Sequence, residues 1–138
     1  MKKLFVLPIL LLLFACEEQG ALTKDGFNVA TVNQGAVLKY QGAFYATSGI
    51  SVAGNAKIYL ENNQYKLELE GFSVSDGPDL KVYLSKADSP TDFVSLGNLT
   101  SATVYNVPQG VAVADYSHVL IHCQRYNHLF AIAQLTSN

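Results

Sequence analysis

The chain has 138 residues, of which 49% are hydrophobic and 14% are charged, and its formal net charge at pH 7 is −2. A nucleic-acid partner is not expected, because a protein that binds phosphates needs clusters of lysine and arginine. Only two cysteines occur, so a framework of several disulfides is excluded. The stability must therefore come from a hydrophobic core.

The N-terminus is typical of a bacterial lipoprotein signal. A basic start is followed by an apolar run over Leu4–Phe14 and then by Ala15 and Cys16. The run is too short for a permanent transmembrane anchor, which needs about 20 residues. We expect residues 1–15 to be a signal peptide that is removed. Cys16 would then be acylated, for example with palmitate, so that its lipid attaches the chain to the membrane.

The segment after the signal is predicted to be a tether. Because Lys2 and Lys3 leave with the signal, 7 of the 9 basic residues remain against 11 acidic residues, a formal charge of −4. Residues 16–35 show no periodicity and predict a flexible chain with a mean reach on the order of 25 Å. Glu17–Glu18 is either a sorting signal or the solvated start of this tether. We expect a lipid-anchored protein of the bacterial cell envelope, on the outer membrane or cell surface rather than the inner membrane.

Residues 36–138 are long enough for one domain with its own core. Apolar and polar residues alternate from Ala36 to Tyr45, which predicts a strand with Leu38, Tyr40 and Phe44 on one face.

The clearest element is a hairpin over Lys57–Gly71. A two-residue turn at Asn62-Asn63 would place Leu60 opposite Tyr65, Ile58 opposite Leu67 and Lys57 opposite Glu68. The apolar pairs and the charge pair fall into place in one register, which strongly favours this hairpin.

Further short strands are predicted at Leu80–Ser85, Phe93–Leu96, Thr103–Val107, His118–Gln124 and Leu129–Leu135. After the signal, no window of ten or more residues keeps helical spacing. The fold class is therefore predicted to be all-β, an antiparallel β-sandwich of about 7–8 short strands, with a small β-barrel as the alternative.

Several motifs follow one another along the second half of the chain. They are LELEGFSVSDGPDLKVYL at residues 67–84, Tyr-Asn-Val-Pro at 105–108, Tyr116 with Val-Leu-Ile-His-Cys at 119–123, and Phe-Ala-Ile-Ala-Gln-Leu at 130–135. Together they resemble the DM-thirteen domain, an extracytoplasmic β module that is found beside DOMON cytochrome-like domains in animals and as lipoproteins in bacteria. The resemblance covers about residues 40–135.

The resemblance implies a redox or electron-transfer role centred on a characteristic cysteine, which matches Cys123. In the family this cysteine is proposed to be a free thiol or an attachment point for a prosthetic group. His122 stands where members often carry an aromatic residue, and the stretch SGISVAG at residues 48–54 lacks a histidine that relatives often have. If that histidine serves a cofactor in relatives, this chain lacks the ligand.

The residues around Cys123 also support an alternative in which this cysteine has only a structural role in the core. Strand alternation places Val119, Ile121 and Cys123 on one face and His122 on the other. A turn at residues 126–127 would set Cys123 opposite Phe130, in apolar surroundings. A buried thiol in such surroundings is a weak nucleophile and packs as a small hydrophobe.

No metal site is expected from the histidines. His118 and His122 would lie about 13 Å apart along one strand face, too far to share an ion, and His128 falls at the turn. We predict that all three are surface histidines. Covalent haem would need Cys-x-x-Cys-His, which is absent from the sequence, and noncovalent haem with Cys123 as a ligand would need a large apolar pocket beside the sulfur.

The acidic motif Asp76-Gly77-Pro78-Asp79 is predicted to be a structural turn. Two carboxylates fall short of the six to eight oxygens that Ca²⁺ takes, whereas glycine, proline and aspartate are the residues of turns.

Two function hypotheses remain, and neither makes the protein an enzyme by itself. In the first, the domain is a redox accessory module in which Cys123 exchanges electrons or disulfides with an envelope protein. In the second, Cys123 belongs to the core, and loops such as 73–79 and 85–91 serve a noncatalytic binding or structural role.

Overall fold

A computed structural model describes residues 30–138. The predicted signal peptide (residues 1–15), the lipidation at Cys16 and the tether as far as residue 29 lie outside the described residues. Within residues 30–138, no helix has the length and apolar character needed to cross a membrane.

All the strands in this part of the chain join into one antiparallel sheet, with the order β5-β4-β7-β8-β1-β2-β3-β6 and with β9 beside β1. A short 3-10 helix, Val113–Asp115, precedes β7. The strands are β1 (Val37–Ala46), β2 (Val52–Glu61), β3 (Gln64–Val74), β4 (Leu80–Ser85), β5 (Phe93–Asn98), β6 (Val104–Asn106), β7 (His118–Cys123), β8 (His128–Gln134) and β9 (Thr136–Ser137).

Strand β1 connects the two halves of the sheet. Its first part pairs with β2, and its end pairs with β8 through Phe44 and Ala133. Near the end of the part paired with β2, a Cβ on Gly42 would lie 2.0 Å from the carbonyl oxygen of Gln134. Only glycine therefore allows the backbones of β1 and β8 to approach so closely.

The two halves of the sheet enclose one hydrophobic core. Ile58 and Leu67 on β2 and β3 belong to the same buried cluster as Val82 and Ile121 on β4 and β7. The predicted all-β antiparallel fold is confirmed. Both of the proposed architectures fit, because the halves face each other as in a sandwich while β1 keeps the sheet continuous as in a small barrel.

The β2-β3 hairpin has the predicted register. Leu60 pairs with Tyr65 and Ile58 with Leu67, as expected from the alternation. At the turn, Asn62 and Asn63 have positive φ angles of 52° and 64°, as a type I′ turn requires.

The charged face of the hairpin differs in one detail from the predicted cross-strand pair. Lys57 lies opposite Glu68 in the register, but its Nζ contacts the diagonal carboxylate of Glu70 at 2.9 Å. This contact raises the pKa of Lys57 and lowers the pKa of Glu70.

We expect Asn63→Gly to stabilise the domain. Glycine adopts positive φ without the strain of a side chain, and Asn-Gly is the preferred type I′ sequence, so the free energy of unfolding should rise by a few tenths to about 1 kcal/mol. Urea denaturation followed by circular dichroism measures the change. Asn62→Gly is the matched control with a smaller gain, and a loss of stability in Asn63→Gly would contradict the assigned turn.

Strands β1 and β2 each contain a bulge, and the one in β1 alters the alternation that the sequence predicts. A register shift between Leu38 and Tyr40 places Tyr40 opposite Ile58 on the core side and Leu38 opposite Tyr59 on the other face. The predicted common face of Leu38 and Tyr40 is therefore wrong, because the extra residue at the bulge reverses the alternation. A second bulge lies at Gly54 in β2, which has a positive φ of 107°.

The residues just before β1 contact the hairpin. The Nζ of Lys66 donates a hydrogen bond of 2.6 Å to the carbonyl oxygen of Thr31, and the side chain of Asn33 bonds to the carboxylate of Glu61. Lys66 Nζ also lies 3.1 Å from Glu61 Oε1. These contacts, with that of Lys66 the largest, lower the pKa of Glu61.

Candidate functional site

Cys123 is the last residue of β7 and points into the main core. Val119, Ile121 and Cys123 are all fully buried in that core, each with 0% exposure. The predicted division of the strand into two faces holds, since Leu120 belongs to a separate cluster on the outer face. The thiol is free and buried.

The cross-strand partner of Cys123 differs from the prediction. Cys123 pairs with His128, and Ile121 pairs with Ala131, because a register shift lies between Ile121 and His122. The connection between the strands is a four-residue turn over residues 124–127. Pairing with Phe130 was therefore a wrong prediction, although Phe130 still packs in the same core cluster with 6% exposure.

The segment Asp76–Asp79, which we call the cover loop, leads into β4 at the end of β7 where Cys123 lies. Leu80, the residue after this loop, is the β4 partner of Cys123. A Cβ on Gly77 would lie 2.8 Å from Leu80 Cδ2 and 3.1 Å from the ring of Phe130. The loop backbone thus packs directly on two side chains that surround the core end of β7.

The cover loop is anchored mainly at its two ends. On one side, Ser75 N donates to the carbonyl of Ser51 at 3.0 Å. On the other, the amide of Gln124 donates to the carbonyl of Asp79 at 3.0 Å. Within the described part of the chain, the intervening residues 76–78 have no backbone hydrogen bond to the rest of the domain, so packing at Gly77 holds the middle of the loop.

The carboxylates of the cover loop do not converge on a common point. Pro78 and Asp79 form a turn, and Asp76 is exposed. The carboxylate of Asp79 contacts Lys81 Nζ at 3.2 Å. Across residues 30–138, no three His, Cys, Asp or Glu side chains are grouped closely enough to hold a metal ion.

A cleft of about 630 Å³ opens beside the cover loop. Its wall is formed by three segments, which are residues 72–75 from the end of β3, the cover loop with Leu80 and Lys81, and residues 98–100 after β5. Cys123 does not line the cleft. The residues around the sulfur therefore do not fit a haem with Cys123 as ligand, because the thiol faces packed side chains instead of a large apolar pocket.

The three histidines lie in different surroundings. His118 Nδ1 contacts Ser117 Oγ at 2.7 Å, and His128 is exposed at the start of β8. His122 has only 5% exposure, so its prediction as a surface histidine is wrong. The outer face of β7 is apolar as well, and His122 packs there with its ring centroid 5.5 Å from that of Tyr83.

Comparison with known families identifies this domain. The sequence model of the family described as "Electron transfer DM13" matches residues 43–135. The chain belongs to the DM13 family. The match spans more than half of the 138 residues and confirms the resemblance predicted from the motifs. It contains the cover loop, Cys123 and His122, so the site described above lies wholly within the DM13 domain.

Neither the search of curated proteins nor that of solved structures found a significant match. The contacts of Gly77 and Phe130 are the parts of the site that the motifs did not reveal. The packing of a loop backbone on a distant ring leaves no periodic signal, although the glycine within Asp-Gly-Pro-Asp marks the place where a Cβ would crowd two side chains.

Proposed function

We propose that this DM13 domain is an electron-transfer accessory module in which Cys123 is the redox group. The match to a family described as an electron-transfer domain supports the redox role. The complete burial of the thiol, at the end of the strand that adjoins the cover loop, suggests how its reactivity is restricted. The proposal includes a lipid anchor at Cys16 that holds the domain on the bacterial cell envelope, so that its partner is another envelope protein.

Thiol–disulfide exchange with a partner disulfide is the chemistry that a single cysteine can support. The Cys123 thiolate attacks one sulfur of the partner disulfide, the partner S–S bond breaks, and the second partner sulfur leaves as a thiolate. A mixed disulfide joins the two proteins until another thiol attacks it. The two electrons come from thiols and reduce the partner disulfide, so the domain cannot complete the cycle alone.

Direct attack requires Cys123 to meet the other sulfur. In the closed fold the residue has 0% exposure, so exchange must follow an opening of the cover loop or of the adjacent 124–127 turn. These segments adjoin Cys123 and are held by few backbone hydrogen bonds. A route through β4 or β8 would instead require breaking the central sheet.

Incubation of the folded domain with glutathione disulfide tests this function. We expect slow formation of one mixed disulfide, detected by intact-protein mass spectrometry and reversed by reduced glutathione. Cys123→Ala should form none while it keeps the native circular dichroism spectrum. The proposal fails if the mixed disulfide forms only in denaturant, or if the adduct cannot be reduced under native conditions.

The complete burial of Cys123 also favours a second candidate, a noncatalytic binding module. In that case Cys123 is a core residue, and the 630 Å³ cleft beside the cover loop receives a partner. Cys123→Ser would then keep partner binding. A bulky substitution in the cleft wall away from the cover loop, such as Ser73→Arg, would reduce partner binding without changing the reactivity of the thiol.

A further inference from the structure

His122 combines burial with an unsatisfied ring nitrogen. The residue has 5% exposure, and its Nε2 lies 3.2 Å from Asn127 Oδ1. As this amide is oriented, Nε2–H donates to Asn127, and the lone pair of the neutral ring lies on Nδ1. Among the described residues, Nδ1 is a buried side-chain atom without a hydrogen-bond partner. A proton added to Nδ1 would therefore bring a charge and an unmatched donor into a buried position.

The position of His122 couples its charge to the segments that enclose Cys123. It adjoins Cys123 in β7, and within residues 30–138 its one side-chain hydrogen bond goes to Asn127, in the turn that connects β7 to β8. The same turn begins at Gln124, whose amide holds the cover loop through Asp79. A change that loosens the turn would also release one anchor of the loop.

We propose that His122 is an acid-sensitive latch, whose protonation opens the 124–127 turn and the cover loop and thereby exposes Cys123. The biological purpose of this regulation depends on the proposed redox function of the thiol. The opening itself is a property of the fold, and it can be measured without any redox partner.

The direction of the effect follows from proton linkage. Burial lowers the pKa of His122, the bond with Asn127 opposes this shift, and His128 lowers the pKa further. In the open state the ring would meet water and regain a pKa of about 6.5. The open state thus binds the proton more readily, so the closed state loses stability as the pH falls below about 6.5, and the loss continues down to the lowered pKa.

Other ionisable groups near His122 limit the pH range in which the effect of His122 can be measured separately. They are Lys81 and Tyr83 on β4, His128 on β8, Arg125 in the turn and Asp79 in the cover loop. Only histidines ordinarily change charge between about pH 5.5 and 7.5. Measurements in this range therefore separate the histidines from the carboxylates.

The test is the rate at which a pyridyl disulfide, which stays reactive in acid, modifies Cys123 in the folded domain. Each rate is divided by that of the urea-unfolded protein at the same pH, which removes the intrinsic pH dependence of the reagent. From pH 7.5 to 5.5 we expect the normalised rate to rise by up to about tenfold, as one linked proton with an open-state pKa of about 6.5 allows. His122→Phe, which keeps a ring but cannot titrate, should abolish the rise.

His128→Gln and His118→Gln are the matched controls and should keep the rise. If His122→Phe does not fold, Asn127→Ala replaces it and should raise the normalised rate at pH 7.5, because the turn loses its bond to the ring. A normalised rate that does not depend on pH in the native protein, or a rise that persists in His122→Phe, overturns the latch. Either result leaves the glutathione experiment on the proposed function unaffected.

Discussion

Gly42→Ala is expected to lower the free energy of unfolding by about 3–5 kcal/mol. The added Cβ would lie 2.0 Å from the carbonyl oxygen and 2.8 Å from the carbonyl carbon of Gln134. Both are backbone atoms of the sheet, so no side-chain rotation relieves the overlap. Strands β1 and β8 would have to separate at the point where β1 passes from one half of the sheet to the other.

Such a loss is a large part of the total stability of a small domain, which is about 5–15 kcal/mol. Urea denaturation followed by circular dichroism measures it. Gly35→Ala is the control, because a Cβ there meets no atom within 4 Å, and it should change stability little. If Gly42→Ala were as stable as Gly35→Ala, the close pairing of β1 with β8 would be wrong.

Gly77→Ala has the largest expected effect on the reactivity of Cys123. Its Cβ would lie 2.8 Å from Leu80 Cδ2 and 3.1 Å from the ring of Phe130, so both of these side chains, which pack against the core, would have to shift. Relief of this strain favours the open loop. An overpacking cost of about 1–3 kcal/mol would raise the open population by a factor of about 5 to about 150, since each 1.36 kcal/mol is a factor of ten.

The rate of thiol modification at pH 7.5 measures the effect, with Gly35→Ala again as the control. Global stability must be measured in parallel, so that labelling through complete unfolding is recognised. Modification of Gly77→Ala at the native rate would show that the cover loop does not limit access to Cys123.

The elements in which apolar and polar residues alternate regularly could be predicted from the sequence. The β2-β3 hairpin appeared with its turn at Asn62-Asn63 and its register, because apolar and charged pairs agreed on one alignment. The faces of β7 were also predictable from the period of two. The bulge at Leu38–Tyr40 could not be predicted. Its extra residue lies in β1 and is revealed only by the pairing with β2, because it does not change the local composition.

The site was predictable in its central residue but not in its surroundings. Cys123 and the Asp-Gly-Pro-Asp turn stood out as motifs. The burial of His122 did not, because β7 lies between two neighbours in the sheet and is apolar on both faces, where Leu120 packs with Tyr83 and Ile132. The contact of Gly77 with Phe130 depends on chain segments more than 50 residues apart, and only the folded structure brings them together.

The most direct test of the central claim is the reactivity of Cys123 in the native protein. The claim is that the thiol is enclosed in the resting fold and is reached only through opening of the cover loop and the adjacent turn. Reaction with a small thiol reagent at pH 7.5 should then be at least about a hundredfold slower in native buffer than in urea, as local opening energies of a few kcal/mol imply. Equal rates in native buffer and in urea would contradict it.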